Sequence, residues 1–123
     1  GLFLIDGING AILRGANSSV VGPANPVAKG EGIVIFATGL GATSNAPPAG
    51  VASPSNPLAE TVLKPTVTIG GANAQVLFSV LSPGFVGLYQ INAIVPEPIS
   101  SGSLNLTVTM GASQSNVAKI QVN

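Results

Sequence analysis

The sequence predicts an all-β protein: an antiparallel immunoglobulin-like β-sandwich of about seven to nine strands. Three observations lead there. Short apolar runs with a two-residue period recur along the chain, the spacing at which one face of a strand meets a core. Turn signals separate them, and the 16 Gly and 10 Pro are enough to punctuate every pair of runs. No window sustains a 3.6-residue period free of Gly and Pro, so helix is scarce. Short strands at regular spacing with turns between them are the pattern of a sandwich. The 123 residues fit a single domain, 1–123, large enough to bury a core.

The first element lies in residues 1–14. Leu2, Phe3, Leu4 and Ile5 are all apolar, Asp6-Gly7 is a turn signal, and Ala11-Ile12-Leu13 is a second short run. Four apolar residues in a row ask for cover on both faces of a strand. Two arrangements supply it. The strand crosses between the two sheets of its own sandwich, or the 1–14 segment is donated to a neighbouring subunit with Leu2, Phe3, Leu4 and Ile5 as the interface. Residues 15–30, rich in Gly, Asn, Ser and Pro, form a loop.

Residues 32–38, Gly-Ile-Val-Ile-Phe-Ala-Thr, read as a nearly continuous apolar strand, central in its sheet or covered on its outer face. It ends at Gly39-Leu40-Gly41, a turn. A nucleotide-binding loop would need a third glycine and a following amphipathic helix, and neither is there. Residues 42–64 carry Pro47, Pro48, Pro54 and Pro57, a density that excludes helix and inner strand. A loop this long is expected to be functional or to lie across a sheet face.

Residues 65–80 read as a hairpin turning at Gly71-Ala72-Asn73, with Val67, Ile69, Val76, Phe78 and Val80 on the core side. Gly87 to Pro96 holds the clearest alternation. Tyr89, Ile91, Ala93 and Val95 share the buried face, Gln90 and Asn92 the other, and Pro96 closes the strand. From Ser103 to Met110, Leu104, Leu106, Val108 and Met110 face inward. In the last strand, about Asn116 to Val122, Ala118, Ile120 and Val122 do so.

Several of these runs resemble known families. Gly30-Glu-Gly-Ile-Val-Ile-Phe-Ala-Thr-Gly-Leu-Gly41 resembles the first sheet motif of the IPT/TIG immunoglobulin-like domains. Val67-Thr-Ile-Gly-Gly-Ala-Asn-Ala-Gln-Val76 resembles their central hairpin. A narrower likeness spans the chain. Gly1-Leu2-Phe3, Asn25-Pro26, Ala37-Thr-Gly-Leu-Gly41, Val67-Thr-Ile-Gly-Gly71 and Gly87-Leu-Tyr-Gln-Ile-Asn92 together resemble a Solibacter-type bacterial C-terminal domain family. That resemblance implies a sandwich at the end of large exported proteins, and hence an extracellular or cell-surface location. The family has no assigned activity, so the resemblance implies no site residue.

Composition argues against most chemistry. Four basic and four acidic residues cancel, and only one Tyr and four Phe could stack on bases, so nucleic acid is not an expected partner. No apolar run reaches the length of a membrane span, so membrane insertion is not expected. The opening Gly1 to Ile5 run is too short for a signal peptide and lacks a basic start, so an exported chain would have lost its signal or carry it upstream. Without His or Cys, the Ser-His and Cys-His nucleophilic systems and the usual zinc sites are excluded. Asp6, Glu31, Glu60 and Glu97 stand far apart in sequence and no Asp-rich calcium loop is present. No catalytic, cofactor-binding or metal-binding residue is expected, and the chain is read as no enzyme.

Two functions remain. A charge content of 7% is far below that of an ordinary soluble surface. Lys119 is the only lysine inside an expected strand, so the sheet edges lack the usual charged guards. Such borders are expected to be covered by protein. The first function is therefore a structural module that packs against copies of itself or adjacent domains, as in a fibre or filament joined by β-strand addition. The second is a carbohydrate- or protein-binding module whose site is formed by loops 15–30 and 42–64. It ranks lower, because the chain has no Trp and its one Tyr is expected inside.

Overall fold

The structure, a computed structural model, describes residues 1–48, 50–55 and 57–123. Among these there is no helix. Eight strands carry the fold: β1 (Ile12–Arg14), β2 (Gly32–Ala37), β3 (Thr66–Ile69), β4 (Ala72–Leu81), β5 (Tyr89–Ile94), β6 (Gly102–Met110), β7 (Ser113–Gln114) and β8 (Ala118–Val122). They pair antiparallel in the order β1-β2-β5-β4-β3-β6-β7, with β8 also on β6. The all-β class and the strand count agree with the sequence reading. The strands form one curled sheet, because β4 serves both halves. Its residues 72–74 pair with β3, and Gln75 onward pairs with β5.

The curl wraps a single apolar interior. Ile33, Ile35 and Ala37 of β2 enter it, as do Ile91 and Ala93 of β5, Leu106 and Val108 of β6, and Ala118, Ile120 and Val122 of β8. Each is an alternate residue of its strand, as the two-residue period requires. Burying one such Val, Leu or Ile side chain contributes about 1.5–3 kcal/mol. The apolar β2 is central, between β1 and β5, and its outward Val34 and Phe36 are half-buried. The β3–β4 hairpin turns on Gly70 and Gly71, one residue earlier than expected. Both have left-handed φ, +59° and +83°, and Ile69 lies opposite Ala72. A two-residue turn of this kind matches the strand twist and favours glycine at both positions.

Two side chains leave their expected face, and a third keeps it but is only half-buried. A bulge falls between Val76 and Phe78, so Leu77 has no partner on β5 and Phe78 lies opposite outward-facing Asn92. Phe78 was expected in the core and is instead 51% exposed, while Val76 is half-buried. The inserted residue flips the phase of the strand. Tyr89, expected inside, is half-buried at the rim, where its hydroxyl donates to the Gly41 carbonyl at 2.7 Å. Val80 is buried, as expected, although it lies opposite Gln90. The long 42–64 loop explains it. Leu81 N–H donates to Ala59 O, Thr61 N–H donates to Ser79 O, and Glu60 bridges to Val80. Ala59, Val80 and Leu81 are buried apart from the main interior.

The chain also covers its own outer strands. Lys119 N–H donates to Ile8 O, and Gly10 N–H donates to Lys119 O. Val27 N–H donates to Gln121 O, and Asn123 N–H donates to Val27 O. Residues 8–10 and 27 therefore line β8. On β1, Arg14 N–H donates to Ser19 O and Val21 N–H donates to Ile12 O. Residues 8–14 run from β8 at one end of the sheet to β2 at the other.

Candidate interaction surfaces

Four of the charged side chains, Asp6, Arg14, Glu31 and Lys119, are occupied with local structure. Arg14 grips Glu31 with two bonds, Nε to Oε2 at 2.6 Å and Nη2 to Oε1 at 2.8 Å, and its Nη1 donates to Asn25 Oδ1 at 2.8 Å. Ala28 N–H also donates to Glu31. The Arg14 hydrogen bonds hold the Glu31 carboxyl below its usual value, against the opposing effect of burial. Together these contacts clasp the 15–30 loop to β1. Asp6 caps its own turn, accepting from the Asn9 side chain and from the backbone N–H groups of Ile8 and Asn9, which lowers its pKa. Among the described residues no three His, Cys, Asp or Glu side chains gather as a metal site.

What the surface does offer is apolar. Twelve large hydrophobic side chains among the described residues are exposed, and nine of them belong to three stretches of the surface. The first is at the N-terminus. Leu2 is buried and bridges Ala37, Leu4 is half-buried, and Phe3 and Ile5 stand 42% and 55% exposed. The four predicted interface residues therefore split by parity, two turned inward on their own fold and two outward. The segment is well fastened. Phe3 N–H donates to Phe36 O, Ala11 N–H donates to Phe3 O, and the Asn116 side chain holds both the N–H and the C=O of Leu2.

The second group is at a loop end. A hollow of about 320 Å³ is lined by Ala42, Pro47, Val51, Leu81, Val86 and Tyr89. Phe85 stands exposed beside Val86. Two backbone bonds fasten these loops together, Ser53 N–H to Phe85 O and Gly84 N–H to Ser53 O. The 42–64 loop thus contributes to a concavity, whereas loop 15–30 is drawn onto β1 and β8 and takes no part in it.

The third group lies along β4. Residues 72–74 pair with β3 and residues 79–81 with the 59–61 segment, but the stretch between pairs only with β5. This leaves a notch in the sheet. Leu77 and Phe78 stand exposed on it, Val62 and Leu63 are exposed in the 60–64 segment, and a hollow of about 240 Å³ opens between Glu60, Lys64 and Phe78. The sequence reading missed this surface. Its signal is there, however: Leu77-Phe78 puts two apolar residues in succession where strict alternation allows one. Comparison of the chain with protein-family models, curated proteins and solved structures finds no match.

Proposed function

We propose that this chain is a non-enzymatic structural module of an exported or cell-surface protein, an immunoglobulin-like sandwich that packs against copies of itself or adjacent domains. One observation carries the reading: a surface poor in charge presents exposed apolar groups at three separate places. Contiguous apolar patches on a soluble domain are typical of contact surfaces. The resemblance to the Solibacter-type C-terminal domains supports the location. Strand addition is the form of assembly suggested by Leu2, Phe3, Leu4 and Ile5, since a donated N-terminal strand would make in a neighbour the same bonds it makes at home.

Cross-linking in producing cells through Lys29, Lys64 and Lys119 tests the module reading. It predicts links to other copies or other domains, and a chain found linked only to itself contradicts it. Deleting residues 1–5 tests strand addition. Assembly should be lost, or an aggregating monomer should result. A truncated chain that stays soluble and cooperatively folded, from a parent that was always monomeric, refutes it.

The loop-end hollow favours a second reading, a carbohydrate- or protein-binding module. Its lining is mostly aliphatic, with Tyr89 the one aromatic side chain in the wall. A glycan array or pull-down with clear binding that is lost on replacing residues 46–51 would put this reading first.

A further inference from the structure

We propose that Asn9-Gly10 is a self-modification site, shut while the β8 border is paired, and that its deamidation makes an opening of that border permanent. The inference is independent of the module reading above.

The sequence supplies the reactivity. Asn9 is the one asparagine of the chain that is followed by glycine. In such a pair the backbone nitrogen of the second residue attacks the side-chain amide carbon of the first, because glycine has no Cβ to crowd the approach. A bond forms between Gly10 N and Asn9 Cγ, the Cγ–Nδ2 bond breaks, and ammonia leaves with the proton of the Gly10 N–H. Water then opens the succinimide ring. Opening at one carbonyl leaves aspartate at position 9. Opening at the other leaves isoaspartate, with the main chain running through the side-chain carbon. Water is the sole co-reactant.

The structure holds each reacting atom. The attacking nitrogen, Gly10 N, donates its hydrogen to Lys119 O at 3.0 Å, and Gly10 is buried. The leaving nitrogen, Asn9 Nδ2, donates to Asp6 Oδ2 at 2.8 Å. Asn9 Oδ1 accepts from Gln121 Nε2 at 2.9 Å, and the Asn9 N–H donates to Asp6 Oδ1 at 2.6 Å. Attack needs the side-chain amide turned and the Gly10 nitrogen freed. Asn9 must therefore leave Asp6 and Gln121, and Gly10 must leave Lys119. Lys119 and Gln121 are both residues of β8, so these releases amount to opening the border. The reaction proceeds from the opened state, at a rate set by the population of that state.

The products do not fit back. Aspartate at position 9 sets a carboxylate against Asp6 Oδ2 where an N–H donor stood, two like charges within hydrogen-bond range. Isoaspartate lengthens the backbone where Ile5 N–H donates to Asn9 O, Lys119 N–H to Ile8 O and Gly10 N–H to Lys119 O. Either way residues 8–10 lose their fit to β8, and its backbone groups go unpaired.

The experiment follows peptide 1–14, released by trypsin after Arg14, in which Asn9 is the only asparagine. The mass gained on turning an amide into an acid marks conversion, and rearrangement at Asp6-Gly7 adds no mass. The full chain is incubated in mildly alkaline buffer, native and in urea, beside Asp6→Ala and Gln121→Ala. In urea Asn9 should convert at the rate of the free 1–14 peptide. In the native chain conversion should be slower by about a hundredfold or more. Asp6→Ala, which frees Nδ2 and the Asn9 N–H, should convert about tenfold faster than the native parent. Gln121→Ala leaves the turn intact and should accelerate conversion by a smaller factor, which keeps the test decisive if Asp6→Ala does not fold. In the converted chain the Gly10 and Lys119 amides should lose their protection from hydrogen exchange while those of β5 keep theirs. Native conversion as fast as that in urea overturns the inference. So does an Asn9 that survives in urea, a native rate indifferent to both substitutions, or a converted chain whose border amides stay protected.

Discussion

Two edges that the ladder leaves open, β8 at an end of the sheet and the middle of β4 within it, are treated in opposite ways. At the β8 border, residues 8–10 and Val27 supply the missing backbone partners, and the side chain of Val27 is fully buried there. At the β4 border, the chain pairs both ends of the strand and leaves its middle open, with Leu77 and Phe78 facing out. An exposed edge invites pairing with other chains, and proteins close it or spoil it. This chain closes one border with its own loop and spoils the other with a bulge. Apolar side chains line both borders, but only the first takes them inside. Stability should therefore depend on the β8 border, and contact with other molecules on the β4 border.

The contrast can be broken by substitution. The largest effect belongs to Val27→Asp, which buries an unpaired carboxylate beside β8. It should destabilise the fold by on the order of 4 kcal/mol in denaturant unfolding. Gly10→Val comes next. A Cβ at Gly10 would stand 3.0 Å from Ile12 Cδ1 and 3.2 Å from Ala118 Cβ, so a larger side chain overpacks the border. A loss of about 2 kcal/mol is expected.

Arg14→Met removes the clasp on the 15–30 loop and leaves Glu31 without its main partner. The loss should be about 1.5 kcal/mol near neutral pH. Its pH dependence has a definite sign. The folded pKa of Glu31 lies below its ordinary value of 4.5, so the clasp contributes fully above that value and fades as pH falls through the folded one. Melting curves of parent and variant should converge in acid. The smallest effect is expected from Phe78→Ser, within about 0.5 kcal/mol of the parent. If Phe78→Ser destabilises as much as Gly10→Val, the two borders do not differ in the way described.

The alternating strands were legible because burial follows a period of two. Ile91, Ala93, Leu106, Val108, Ile120 and Val122 were all placed correctly from that alone. Val21, Val27 and Leu40 were not, since each is a buried residue in an irregular segment and no period marks it. The same limit hid the backbone pairing of residues 59–61, which sit in a proline-rich loop yet extend the sheet. Phe78 was misplaced because one inserted residue reverses every later side chain until the register is reset. At the N-terminus the run Leu2 to Ile5 asked for cover on both faces, and only the Leu2 and Leu4 face receives it within the chain. Of the apolar surfaces, only that one was anticipated. The other two arise where separate segments converge, and sequence order does not show convergence.

Residue-resolved amide hydrogen exchange on the dilute full chain tests the contrast between the borders most directly. The Gly10, Val27, Lys119 and Asn123 amides, all donors at the β8 border, should exchange as slowly as those of β5, through global unfolding, while the amide of Leu77, which the bulge leaves without a partner residue on β5, exchanges orders of magnitude faster. Fast exchange at the four border amides, or protection of Leu77 equal to theirs, would contradict the account.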